Sequence, residues 1–553
     1  MVLVIPMRPH RWVALLALLL CAGRSEGAAP VLEYLFPAGG SPGMDVMLTL
    51  GGKQSNWPVE LWSDSSHLSL QAEEKAGQVR VTVSPDAPPG PCWIRAFNNE
   101  GASEPALFLV GSLPSMPESE PNHAPEQAQA VTAIPMTVDG RLEKSEDVDT
   151  FRVRLSAGQV LVARLYAYRL DAPMDAFLQV TDSANTVLAV EHDGDLLDPV
   201  LVWKAAHEGE YLVKVSAFAY PPQANVRFTS GENTVYRLDL HAGPYVVGAW
   251  PPGLDPGRVT RVEAVGWNFD KTPLTVDVDP AQTPQGGNGV MVSGFENAFR
   301  LPMNPHPGTV ELEPNDTAAE ATPAPVPATL AGRMDRARDV DRYAFEAVKD
   351  RAYSMRARAA SLGYPGDLVL TVEDGEGKEL ARNDDGAARN DPDLAWKAPA
   401  DGTFQVVMRD LFDRGGEDHF YLVDLAEEVP GVQAQAKANA VLLKAGGSAE
   451  LKVDVKRTGG FKEKVQLRMA GLPEGVTAEP VLVSEKGGET SLTLKAADAV
   501  PVGRALVQVE MFGGAEGEKA LGQAEVPVKG RHAEAGDLLR NTLPGIWLIV
   551  TSK

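Results

Sequence analysis

Glu118-Ser119-Glu120-Pro121-Asn122 recurs as Glu311-Leu312-Glu313-Pro314-Asn315, and Asp147-Val148-Asp149-Thr150-Phe151 recurs as Asp339-Val340-Asp341-Arg342-Tyr343. The first pair is offset by 193 positions and the second by 192. Self-similarity at a fixed spacing marks a repeated structural unit. The register holds further on. Asp175 matches Asp367, Thr181-Asp182 matches Glu373-Asp374, Asp198-Pro199 matches Asp391-Pro392, and Trp203 matches Trp396. Each copy closes on a Tyr-x-x-Asp segment, at 236–239 and 421–424. A drift of one residue over such a length defines a duplicated domain, spanning 118–241 and 311–426.

Within each copy the chain reads as strands. Phe151-Arg152-Val153-Arg154-Leu155 alternates apolar and polar residues, and 160–165, 177–180 and 211–215 are short apolar-rich runs. Asp-Gly, Glu-Gly and Asp-Pro turns separate them at intervals near ten residues, the spacing of an antiparallel sandwich. Trp203 and Trp396 are expected between the sheets. Three further β-type segments flank the repeats. Residues 30–112 resemble an Ig-like module of the TIG type, and 244–305 look like a degenerate relative of it. Residues 430–530 carry Gly471-Leu472-Pro473-Glu474-Gly475, which resembles bacterial surface Ig-like modules. Residues 531–553 form a tail whose apolar end, 543–550, could be a final strand or a docking segment. The linkers near 111–117 and 305–311 are rich in Pro and polar residues. The predicted fold class is therefore all-β, a string of five tandem β-sandwich domains.

Composition agrees with that architecture. The chain has 553 residues, 44% of them hydrophobic, with 52 Gly and 43 Pro as turn-formers. Its 51 Lys and Arg against 75 Asp and Glu give a net charge of −24. Such a surface argues against nucleic acid and anionic membranes as partners and favours divalent cations. Two cysteines cannot form a disulfide framework. At the N-terminus, Arg8, His10 and Arg11 precede an apolar run at 12–22 and then small residues, the pattern of a cleaved signal peptide over 1–27. Leu20 stands before Cys21 where a lipoprotein signal wants a small residue. No later run is long enough to span a bilayer. The protein is expected to be exported, to the extracellular space, the periplasm or the cell surface.

The acidic motifs carry the chemistry. Proline keeps the residue before it extended, so Glu120 and Glu313 sit in extended chain. Residues two apart then share a side, which groups Glu118, Glu120 and Asn122, and likewise Glu311, Glu313 and Asn315. Asp147 and Asp149 have the same spacing ahead of a strand, as do Asp339 and Asp341. Together the two segments supply five or more hard oxygen ligands, a set that suits Ca2+. The alternative is that these carboxylates are solvated residues that keep the linker soluble.

Both copies resemble the bacterial pre-peptidase C-terminal domain, a module found beside the catalytic domains of secreted peptidases. The match rests on the Glu-x-Glu-Pro-Asn motif, the Asp-x-Asp-aromatic strand, the Asp-Pro turn and the Gly-x-aromatic strand. The resemblance implies a jelly-roll-like sandwich and, through the related collagen-binding domains of clostridial collagenases, a structural calcium ion. Carried over by motif, its ligands are Glu311, Glu313, Asn315, Asp316, Asp339 and Asp341 in the second copy. In the first they are Glu118, Glu120, Asn122, Asp147 and Asp149. His123 stands where the second copy has Asp316, so the first site is expected to be weaker or empty.

No catalytic signature accompanies these modules. Gly39-Gly40-Ser41-Pro42-Gly43 fits Gly-x-Ser-x-Gly formally, but Pro42 has no N–H for an oxyanion hole and a strand follows instead of a helix. The nine histidines are scattered, and Cys92 lacks a nucleophile context. The expectation is a non-enzymatic binding or scaffolding protein whose partner is an extracellular polymer (polysaccharide or fibrous protein) or another envelope protein. A secreted hydrolase with a site at a domain junction, and a structural envelope component, are the alternatives.

Overall fold

The computed structural model describes residues 28–552 except 225–226, 283–288, 387–390, 515–516 and 534–535. The expected signal peptide, 1–27, with Cys21, lies outside the described residues. The fold is all-β: among the described residues the helical elements are short 3-10 turns.

The two repeats fold into the same pair of five-stranded sheets. In the first, one sheet runs Ser115–Pro117, Met136–Arg141, Val235–His241, Val160–Tyr166, Val200–Lys204. The other runs Gln129–Ala130, Asp149–Leu155, Gly209–Ala219, Met174–Thr181, Val187–Glu191. The second repeat reproduces both orders strand for strand, from Gly308–Val310 to Asp393–Lys397 and from Thr322–Pro323 to Glu379–Asn383. Alternation fixes the core: in Asp149–Leu155, Phe151, Val153 and Leu155 turn inward and are buried. Trp396 is buried against Tyr353, Phe345 and Phe404, while its counterpart Trp203 is half-buried against Tyr211.

The two Pro-rich linkers are not free connectors. Ser115–Pro117 and Gly308–Val310 pair in parallel with Met136–Arg141 and Ala328–Arg333, so each linker is an edge strand of the sandwich that follows it. The Asp-Pro turns have a defined task as well. Asp198 is buried and accepts the N–H groups of Ala167, Tyr168 and Arg169. Asp391 does the same for Ala359, Ala360 and Ser361.

Residues 30–112 form a four-stranded sheet and a second sheet packed around Leu48, Val79, Val81, Ile94 and Phe108. Cys92 is buried in this core as a free thiol. Ser41 is buried and donates to the Leu113 carbonyl, a turn role for the Gly-x-Ser-x-Gly stretch. Residues 244–305 give a smaller domain of three- and two-stranded sheets with a core of Ala249, Leu254, Val262 and Leu301.

The middle domain meets the second repeat as the N-terminal domain meets the first. Arg141 lies 4.6 Å over the Phe36 ring, and Arg333 lies 5.5 Å over the Trp250 ring. Gly39 is pressed against Leu109 and Arg237; Gly253 is pressed against Asn304 and Leu422. A Cβ on Gly39 would stand 2.1 Å from the Leu109 oxygen and 2.2 Å from Arg237 Nη1, so only glycine fits. Arg237 is buried there beside Asp139, 2.8 Å away. The duplicated unit is thus a pair of domains, a smaller two-sheet module plus the sandwich that follows it.

The C-terminal domain closes the chain on itself rather than extending a string. Its boundary is also wider than 430–530, because the apolar tail is a strand. Ile546–Thr551 is buried between Ala440–Lys444, which it pairs in parallel, and Gly503–Gly513. Trp547 packs on Trp62 and Phe97 of the N-terminal domain. Arg504 pairs with Glu60, Arg540 with Asp64, and the buried Arg95 donates to Asn439 Oδ1 at 2.6 Å. Residues 528–533 and 536–543 run as a strap between the N-terminal domain and the first repeat. There Asp171 accepts the N–H groups of Arg531, His532 and Ala533, and Tyr168 donates to buried Asp537 at 2.7 Å.

Candidate metal centres

Each repeat folds its two acidic motifs onto one spot, where the incoming edge strand leaves its sheet and the Asp-x-Asp strand of the other sheet begins. In the first repeat, carboxylate oxygens of Glu120, Asp147 and Asp149 lie within 4.8 Å of one another. In the second, the group is Glu311, Glu313 and Asp341. Of the residues named from sequence, nine converge and two turn aside. Asp316 pairs with Arg336, 2.5 Å away, and Asp339 Oδ1 faces the same guanidinium at 3.2 Å while its Oδ2 accepts the Asp335 N–H.

The hydrogen bonding is organised around oxygens that lack enough donors. Glu118 accepts from the Arg141 N–H at 2.7 Å, and its other oxygen lies 3.2 Å from the Tyr236 oxygen, whose one proton goes to the nearer Asp149. Asp149 takes the Tyr236 hydroxyl with one oxygen, and its other oxygen is buried with no partner. Glu120 Oε1 is in the same state, and Asn122 is fully buried with neither end of its amide bonded. In the second repeat Glu311 accepts from the Arg333 N–H at 2.9 Å, and Asp341 takes Tyr421 OH at 2.6 Å. Tyr343 and Tyr421 share a hydrogen bond of 2.9 Å beneath them.

Asn315 is the informative side chain. One atom of its amide lies 3.2 Å from Asp341 Oδ1, 3.3 Å from Glu313 Oε1 and 3.2 Å from the Val340 carbonyl oxygen. As NH2 it donates to all three. As the carbonyl oxygen it joins a ring of acceptors that only a cation can hold together. The inner carboxylates feel the same pressure. Burial, and then the neighbouring Asp149, push Glu118 far above the ordinary carboxylate range; burial lifts Asp149 too. Burial and Asp341 raise Glu311, and burial raises Asp341. Desolvated like charges this close must bind protons or a cation. Three carboxylates, an amide oxygen and backbone carbonyls fit the hard-oxygen chemistry of an alkaline-earth ion.

Sequence reasoning missed the tyrosines and one cation. Tyr236 and Tyr421 begin the closing Tyr-x-x-Asp segments, so their recurrence was the available signal. Gly140 and Gly332 recur with them for a steric reason. A Cβ on either would stand within 2.2 Å of the tyrosine ring or hydroxyl. Arg336 carried no signal, because Lys144 holds its place in the first repeat.

The fold and these pockets define an all-β multidomain chain built from duplicated acidic-pocket sandwiches. No protein-family model matches the chain. A stretch of 96 residues is 41% identical to part of a probable subtilase-type serine protease of Deinococcus radiodurans, covering 17% of this chain and 13% of that protein. Among solved structures, the pre-peptidase C-terminal domain of collagenase from Bacillus anthracis aligns over 21% of this chain and 99% of its own, at 13% identity and a TM-score of 0.17. Salmonella alpha-2-macroglobulin aligns over 95% of this chain and 47% of its own, at 11% identity and a TM-score of 0.16. Among the described residues no helix is long and apolar enough to cross a membrane.

Proposed function

We propose that this chain is an exported, non-catalytic binding or scaffolding protein whose two acidic pockets hold structural calcium ions. The observation that carries the reading is the position of the pockets. Each sits on the edge strand that joins one domain to the next, and each is wired to the domain contact. In the first repeat, the Arg141 N–H donates to Glu118 while the Arg141 guanidinium lies over Phe36 of the preceding domain. In the second, Arg333 connects Glu311 to Trp250 in the same way.

A bound ion would neutralise the buried carboxylates and fix the edge strand. The angle between the Ig-like module and its sandwich would be fixed with it. Glu118, Glu120, Asn122, Asp147 and Asp149 would hold the ion in the first repeat. Glu311, Glu313, Asn315 and Asp341 would hold it in the second, with Asp339 at the rim. The partner in this reading is an extracellular polymer, either a polysaccharide or a fibrous protein, or another envelope component. The similarity of one stretch to a probable subtilase-type serine protease favours, as a second reading, a hydrolase with its site at a domain junction.

The test is thermal unfolding of the mature protein in calcium and in excess chelator, beside a Glu311→Ala, Asp341→Ala double variant. A calcium-dependent rise in the midpoint, partly lost in the variant, is expected; identical melts would remove the metal from the reading. A turnover screen against peptides and glycans separates binding from hydrolysis, since pure binding releases no product.

A further inference from the structure

The two pockets differ in one respect that changes the ion they select. In the second repeat a protein cation already occupies the rim: Arg336 bonds Asp316 and faces Asp339, drawing both away from the inner oxygens. The first repeat has Lys144 at that place, and its Asp147 stays in the inner group with Glu120 and Asp149. Asp147 Oδ2 accepts the Glu143 and Lys144 N–H groups, and its Oδ1 faces an imidazole, with His123 Nδ1 3.8 Å away.

We propose that the first pocket is selective for a first-row transition dication of the Zn2+ class, bound by His123 together with Glu120, Asp147 and Asp149, while the second remains an alkaline-earth site. This rests on the reading that both pockets hold cations, and in the first pocket it replaces calcium with this ion. An independent observation points to a ligand there: Asn122 is fully buried, and neither atom of its amide is bonded. Its counterpart Asn315 reaches to 3.2 Å from Asp341 Oδ1, which places such an amide inside the cluster. Asp149 Oδ1 and Glu120 Oε1 are also buried without partners.

The donor set decides the ion. Calcium takes six to eight oxygens and gains nothing from nitrogen. Imidazole with carboxylates suits zinc and its neighbours. Two donors on a zinc-sized ion stand at most about 4.2 Å apart, twice a bond of ~2.1 Å. The 3.8 Å between His123 Nδ1 and Asp147 Oδ1 is therefore already within reach. His123 stands outside the three carboxylates that lie within 4.8 Å of one another, and its side chain, 57% exposed, would turn inward to join them. The exchange of aspartate for histidine between the repeats then reads as a change of metal preference, not a loss of one ligand.

The experiment uses the full mature chain, stripped of metal and dialysed against a mixture of Ca2+ and Zn2+. Bound metal is measured by elemental analysis, and Co2+ substitution gives a visible spectrum that reports nitrogen ligation. Wild type is compared with His123→Asp, which recreates the second repeat's residue at an exposed position, and with the Glu311→Gln, Asp341→Asn double variant. We expect one tightly held zinc, weakened by about tenfold or more in His123→Asp, with calcium lost only in the double variant. Zinc retained unchanged in His123→Asp, or calcium filling both pockets against zinc, would overturn this inference and leave the cation reading standing. No metal of either kind in either pocket would overturn both.

Discussion

Removing the cation should make the protein less stable as pH rises through neutrality, the reverse of what paired carboxylates usually do. Glu118, Asp149, Glu311 and Asp341 have folded-state pKa values raised by burial, and the charges of Asp149 and Asp341 raise Glu118 and Glu311 further. Between the ordinary carboxylate range and those raised values, the native state binds more protons than the unfolded chain. Stability is then present at acidic pH and is lost on the way up. One retained proton per pocket gives a slope of about 1.4 kcal/mol per pH unit. From pH ~5.5 to ~7.5 that is roughly 2.7 kcal/mol for each repeat. At about 2.1 cal/mol/K per residue, a repeat of roughly 120 residues melting alone would lose about 10 °C; cooperative melting of the whole chain would lose about 5 °C. Scanning calorimetry in chelator reads this directly. With saturating calcium the slope should flatten or reverse, since protons and metal then compete for the same oxygens. Glu311→Gln, Asp341→Asn should remove the second repeat's share. A midpoint in chelator that stays level or climbs over this range would refute the account of the pockets as charge-strained without a cation.

Three other outcomes follow from the packing. Gly39→Val forces a side chain into the Leu109 oxygen and the Arg237 guanidinium, and should cost about 3 kcal/mol or more by overpacking, seen as a lower melting midpoint. Tyr168→Phe removes a donor from buried Asp537 and should cost about 1–3 kcal/mol, with limited proteolysis detecting earlier cleavage in the 528–543 strap. Truncation after Gly545 takes away the buried strand Ile546–Thr551, and the C-terminal domain should fail to fold; proteolysis that removes everything beyond the second repeat would be its signature.

The duplicated sandwiches were legible because their signals are local. Alternation in 151–155 sets which side chains enter the core, and acidic residues two apart on extended chain share a side whatever the rest of the protein does. The carboxylates could be named for that reason, before any geometry. What escaped reading was non-local. The parallel pairing of 440–444 with 547–551 joins segments a hundred residues apart, so an apolar end looked like a tail. The linkers looked free because a three-residue edge strand has no periodicity to detect. Asp316 was expected at the ion because it follows the motif directly, but Arg336, twenty residues on, offers a nearer opposite charge. The repeat of the small two-sheet module with its sandwich was veiled for a different reason: Phe36 stands where Trp250 does and Arg237 where Leu422 does, exchanges that keep the contact while erasing similarity in sequence.

The closed arrangement bears on how the protein can carry load. In a chain of domains joined end to end, tension between the termini passes through each linker in series, and the molecule lengthens by straightening. Here the last strand is buried beside the N-terminal domain, and Trp547, Arg504 and Arg540 clasp residues 60–97. Tension applied between the first and last strands would fall on that clasp, and on the contacts that Asp171 makes with residues 531–533, before it reached the linkers and their pockets.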